Sequence, residues 1–120
     1  MRVLIVESNE NLGKLWQRHL SRLGCNAILA TTQNQAIDIL QKEEIAVIVL
    51  DLVLEEGSAF AIADYASYRQ PSARVVFVTN TTFFSDGSIF QHIPNAYAFL
   101  QSQTPPEDLA EMVHHYGMPH

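Results

Sequence analysis

Ala46-Val-Ile-Val-Leu50 is an unbroken apolar run closed by Asp51, and Val3-Leu-Ile-Val6 is a second such run closed by Glu7. A third, Val75-Val-Phe-Val78, runs directly into Thr79. Continuous runs rich in β-branched residues suit strands covered on both faces, and such strands belong to a parallel sheet held between helices. Between the first two runs, Leu12, Leu15, Trp16, His19, Leu20 and Leu23 recur at three- and four-residue steps. They trace one face of a helix over about residues 9–23, which Asn9 caps and Gly24 stops. Residues 26–31 form a weaker strand. Ala36, Ile37 and Leu40 mark a short helix after the polar turn Thr31–Asn34, and Ala59, Phe60, Ala63 and Tyr65-Ala66 mark another after Gly57-Ser58. Tyr97–Leu100 is the fifth strand, and Pro105-Pro106-Glu-Asp108 opens a last helix carrying Leu109, Met112 and Val113. The reading is a doubly wound five-stranded α/β domain spanning residues 1–120.

One crossover fits less easily. Residues 80–96 contain Asp86-Gly87 and Pro94, which interrupt a helix, while Phe83, Phe84, Ile89 and Phe90 are too apolar for a solvated loop. A short or distorted fourth helix is expected there.

Composition narrows the function. A chain of 120 residues has room for one core. With Asp+Glu 13 against Lys+Arg 7, the net charge of -6 repels phosphate backbones and anionic lipid. Neither nucleic-acid nor membrane binding is expected. The single Cys25 rules out an internal disulfide, and the opening apolar run is too short for a signal peptide or membrane span. A cytoplasmic protein with Cys25 as a small buried hydrophobe is the expectation. The last lysine is Lys42 and the last arginine Arg74, so the final 46 residues carry no permanent cation. Glycines are too dispersed for a phosphate-cradling loop, and Val53 stands where a haloacid-dehalogenase-type phosphatase needs a second Asp. His114-His115 and His120 read as a helix terminus rather than a metal site, because adjacent helical residues point about 100° apart. His19 and Trp16 read as packing residues, and Glu55-Glu56 as a solvated turn.

In an open parallel sheet, ligands gather beyond the carboxyl ends of the strands, where strand order reverses. Glu7 and Asp51 both sit there if the first and third strands are neighbours. The alternative is that acids at strand exits simply meet solvent and cap the next helix.

The segments VLIVES at 3–8, IVLDLVLEEGSAF at 48–60, VVFVTN at 75–80, and AYAFLQS with PPEDL at 96–109 follow one another in an order and spacing that resemble the receiver domain of bacterial response regulators. The resemblance runs the whole chain. It implies a CheY-like (flavodoxin-like) sheet of order 2-1-3-4-5, with Asp51 as the acceptor of a phosphoryl group from a phosphohistidine donor. It also implies Mg²⁺ held by Glu7, Asp51 and the Val53 carbonyl, Thr79 as the phosphoryl-binding hydroxyl, and Phe99 as the switch aromatic. The partner would be a histidine kinase, a phosphotransfer protein or an effector, and the chain a signalling module rather than an enzyme.

Three departures converge on that site. The acidic pair reads Glu7-Ser8, so a neutral hydroxyl replaces the carboxylate that would touch the metal. Ser102 stands at the lysine position, followed by Gln103 instead of proline. Asn80 replaces the small residue usual after Thr79, narrowing access to Asp51. Phosphoryl transfer to a carboxylate crowds negative charge and depends on a hard cation and fixed positive groups. Weak Mg²⁺ binding and weak or absent phosphorylation of Asp51 are therefore expected, the alternative being a pseudo-receiver that binds proteins without phosphate.

Overall fold

The computed structural model describes residues 1–79 and 94–118. The fourth-helix expectation, with Asn80, Phe83, Phe84, Asp86, Ile89 and Phe90, falls outside these residues, as does His120. In chain order the described elements are β1 (Arg2–Val6), α1 (Glu10–Arg22), β2 (Asn26–Ala30), α2 (Gln33–Lys42), β3 (Val47–Asp51), α3 (Ala59–Arg69), β4 (Arg74–Thr79), β5 (Ala96–Gln101) and α4 (Pro106–Gly117). The strands form one sheet in the order β2-β1-β3-β4-β5, every pair parallel, as expected.

The unbroken apolar runs are explained by a two-residue side-chain alternation in which both directions are covered. Leu4, Val6, Ile48, Leu50, Val75 and Phe77 pack with Leu40, Ile62 and Ala63 of α2 and α3. Their neighbours Val3, Ile5, Val47, Val49, Val76 and Val78 pack on the opposite side with Trp16, Leu20, Leu109 and Val113 of α1 and α4. Full burial of each large apolar side chain contributes roughly 1.5–3 kcal/mol, so the runs themselves stabilise the sheet. Trp16 and His19 behave as packing residues: the indole is fully buried, the imidazole half-buried. Cys25 is buried too, and burial pushes its thiol pKa up, away from reactivity.

The first three helices start at side-chain caps: Asn9, Thr32 and Ser58 accept from the backbone N–H of Leu12, Gln35 and Ala61. At the other end of α1, Gly24 takes φ +85, the Cys25 N–H reaches Leu20 O at 3.1 Å, and the Gly24 N–H reaches Ser21 O at 3.0 Å. That reciprocal pair closes the helix where Gly24 was expected to stop it. Several boundaries shift. Helix α2 begins at Gln33, inside the stretch read as a turn, because Thr32 is a cap and not a turn residue. Thr79 is the last residue of β4 rather than the first after it. His114 and His115 lie within α4, whose helical hydrogen bonding continues to Gly117, rather than in a frayed end. No helix among the described residues is long and apolar enough to cross a membrane.

Candidate functional site

Parallel pairing brings the strand exits together. In register, Val6 stands beside Leu50, Asp51 beside Val78, and Thr79 beside Gln101. Glu7, Asp51 and Thr79 therefore share one end of three adjacent strands, and Ser102 lies next to Thr79, its N–H donating to Thr79 O at 2.8 Å. Phe99 lies across from Phe77 on β4 and packs, half-buried, against the α2–α3 side of the core. Val53 is exposed, and its N–H donates to Asp51 Oδ1 at 3.0 Å.

Glu7 is buried, at 4% exposure. Its Oε1 accepts from the Asn9 N–H at 3.0 Å, while no donor among the described residues faces Oε2. Burial is the largest cause that pushes the Glu7 pKa up to about 8; the side-chain hydrogen bond with Asp51 comes next, and the charges of Asp51 and Glu55 add to it. Only the Asn9 N–H pulls the other way. Burial outweighs that N–H and leaves Glu7 favouring its protonated form beside Asp51.

Ser8 is engaged elsewhere. Its Oγ accepts from the Glu55 N–H at 2.9 Å, tying the β1–α1 connection to the β3–α3 loop 47 residues away in sequence. A second tie comes from Gln33, whose Oε1 accepts from the Ser58 N–H at 2.8 Å while its own N–H donates to Glu56 O at 3.4 Å. Between them Gly57 adopts φ +96, and a Cβ there would collide with the Gln33 side chain. The Leu52 N–H reaches Val78 O at 2.9 Å. Loop 52–58 is thus fastened at almost every residue, with the side chains of Glu55 and Glu56 in solvent. Sequence reasoning found Glu7, Asp51 and Thr79 but missed Gln33, and it read Gly57-Ser58 only as the start of a helix.

The donor set fits a hard cation such as Mg²⁺. Asp51, the Val53 carbonyl and Glu7, the last once deprotonated, would offer oxygen ligands only, the kind of set with which Mg²⁺ keeps several waters. Among the described residues no group of three His, Cys, Asp or Glu converges on one point. Nor do the strand-exit segments 7–10, 51–59 and 101–108 contain a lysine or arginine.

No protein-family model and no curated protein sequence matches the chain. Solved structures do. A CheY-like response regulator receiver domain protein from Methanospirillum hungatei JF-1 matches with a TM-score of 0.86 and 20% identity over 97% of this chain and 92% of that one. The non-phosphorylated HemR receiver domain from Leptospira biflexa matches at 0.85 and 20%, covering 99% and 98%. The response regulator TrrA from Thermotoga maritima, in complex with Mg²⁺ and BeF, matches at 0.81 and 16%, covering 96% and 97%. From end to end, the fold of this chain is that of the CheY-like receiver domains of response regulators.

Proposed function

We propose that the chain is a receiver module of two-component signal transduction in which Asp51 gains little or no stable phosphate. The observation that carries this reading is Ser8, a neutral hydroxyl beside Glu7 that accepts from the Glu55 amide, where a second carboxylate would face the metal; burial also pushes the Glu7 pKa up to about 8. Asp51, the Val53 carbonyl and Glu7 would hold Mg²⁺, which would supply positive charge to oxygens gathered at Asp51. The raised Glu7 pKa opposes that binding, and Ser8 adds no charge to it. Thr79 offers a hydroxyl beside Asp51, and Ser102 offers hydrogen bonding without the charge of a lysine. Phe99 occupies the switch position but lacks the hydroxyl through which a tyrosine exchanges partners. Its partners on this reading are proteins of a cytoplasmic phosphorelay: a histidine kinase, a phosphotransfer protein or an effector.

The Ser8–Glu55 tie also favours a second reading, a pseudo-receiver that binds its partner in one fixed state without phosphate. Intact-mass measurement after incubation with acetyl phosphate and Mg²⁺, with Asp51→Asn as control, separates the two. Little or no added phosphate is expected, and quantitative addition of one phosphate that Asp51→Asn abolishes would overturn the proposal.

A further inference from the structure

The parallel topology sorts charge along the strand axis. At the strand exits stand Glu7, Asp51, Glu55 and Glu56, joined by Glu10, Glu107 and Asp108 in the first turns of α1 and α4. The opposite end, where strands begin and helices finish, carries Arg22, Lys42 and Arg69 in last helical turns, and Arg2 and Arg74 at the starts of β1 and β4. Among the described residues, Glu43 and Glu44 oppose them in the connections at that end, and Asp38 pairs with Lys42 at 3.1 Å. Complementing helix dipoles accounts for Arg22, Lys42 and Arg69. It does not account for Arg2 and Arg74, which stand on strands.

Those two arginines line a depression of about 620 Å³ with Asn26, Glu44, Ala46 and Ser72. A second depression of about 350 Å³ adjoins it through Glu44, Ile45 and Ser72 and adds Lys42 and Arg69. Arg74 is held in place: its guanidinium stacks 4.7 Å from the Tyr97 ring centre, and Nη1 donates to the Tyr116 carbonyl. A guanidinium has five N–H groups, so donors remain, and a fixed fork loses little entropy on binding. Arg2 pairs with Glu43 at 3.4 Å with both side chains nearly half exposed, a contact that an incoming carboxylate can displace.

We propose that this groove is a docking site for an acidic peptide segment of a protein partner, remote from Asp51. The net charge of -6 does not forbid it. The molecule extends 31–33 Å along each axis, whereas the Debye length at physiological salt is about 8 Å, so a ligand at this end meets mainly the local cations. The charge pattern favours a peptide over a polyphosphate. Glu43 and Glu44 punctuate the cations, and carboxylates spaced by neutral residues can step past them where a continuous phosphate backbone cannot.

The test is fluorescence anisotropy with a labelled peptide of alternating Glu and Ser, against its Gln-Ser counterpart and inorganic polyphosphate. The Glu-Ser peptide should bind, weaken with added salt, and shift backbone amide resonances around Ala46 and Ser72. The double variant Arg2→Glu, Arg69→Glu should lose about tenfold or more in affinity, whereas Lys14→Glu, Arg18→Glu, with the same change in net charge, should not. Equal loss in both variants, no resonance shifts at the groove, or tighter binding of polyphosphate there would overturn the proposal. So would salt-dissolved oligomers in sedimentation, which would make the acidic end of a second copy the occupant. The resonance mapping uses the unaltered protein and stands even if a variant fails to fold. None of these outcomes depends on whether Asp51 accepts phosphate.

Discussion

Among the described residues, Glu7 carries the largest pH dependence expected. Its pKa is about 4.5 when unfolded and about 8 when folded, so the native state binds the proton more tightly. The resulting stabilisation is fully present below about pH 4.5 and is lost as pH rises through about 8, an effect on the order of a few kcal/mol. The thermal midpoint should therefore fall between about pH 5 and about pH 9. Glu7→Gln, which cannot ionise and keeps a donor toward Asp51, should flatten the dependence and be the more stable protein at the alkaline end. Identical slopes for both would place the titrating group elsewhere. That Glu7 and Asp51 end buried strands was legible from two apolar runs each closed by an acid. That Glu7 is buried beside Asp51 with a raised pKa was not, because it depends on the side-by-side registry of Val6 and Leu50. Ser8 gives a second expectation: restoring charge with Ser8→Asp and Ser102→Lys together should raise the phosphate gained from acetyl phosphate in an intact-mass assay. A carboxylate at position 8 can still accept from Glu55, so the fold should tolerate the change.

At the scale of elements, the sequence was most readable where signals are local. Asn9 and Gly24 bracket α1 because a cap and a left-handed stop act within a few residues. Helix α2 was misjudged at its start, since Thr31–Asn34 satisfies the composition of a turn equally well and only the Thr32–Gln35 bond distinguishes them. The β3–α3 loop was least readable: Ser8–Glu55 and Gln33–Ser58 join residues 47 and 25 positions apart. Gly57 is where this loop is most exposed to mutation. Gly57→Ala adds a Cβ at φ +96 and drives it into the Gln33 side chain, a destabilisation of about 1–3 kcal/mol in chemical unfolding. Amide exchange at Glu55 and Ser58 should quicken in the same variant. A Gly57→Ala protein as stable as the parent would mean that the loop is not held by these ties.

The whole molecule makes symmetric self-association through residues 80–116 unfavourable. The sequence of that stretch holds Asp86, Glu107, Asp108 and Glu111 but no lysine or arginine, so a twofold salt-bridged contact would set like charges against one another. Sedimentation should find no such dimer, and a salt-bridged symmetric dimer through this face would contradict the expectation. The order β2-β1-β3-β4-β5 has a further consequence, for kinetics. Strand β1 pairs with both β2 and β3, so the first 51 residues already contain three adjoining strands with a helix on each side. Strands β4 and β5 can only extend an edge that this half has made. Loop closure within that half is short, and a nucleus there is reached before any contact with the C-terminal elements. Ile48→Val should thus slow refolding in stopped-flow measurements, whereas Val113→Ala should chiefly hasten unfolding. The acceptor strand β3 would then be in place early, and β5, with the position of Ser102 at its end, would be the last part of the sheet to join and the first to leave.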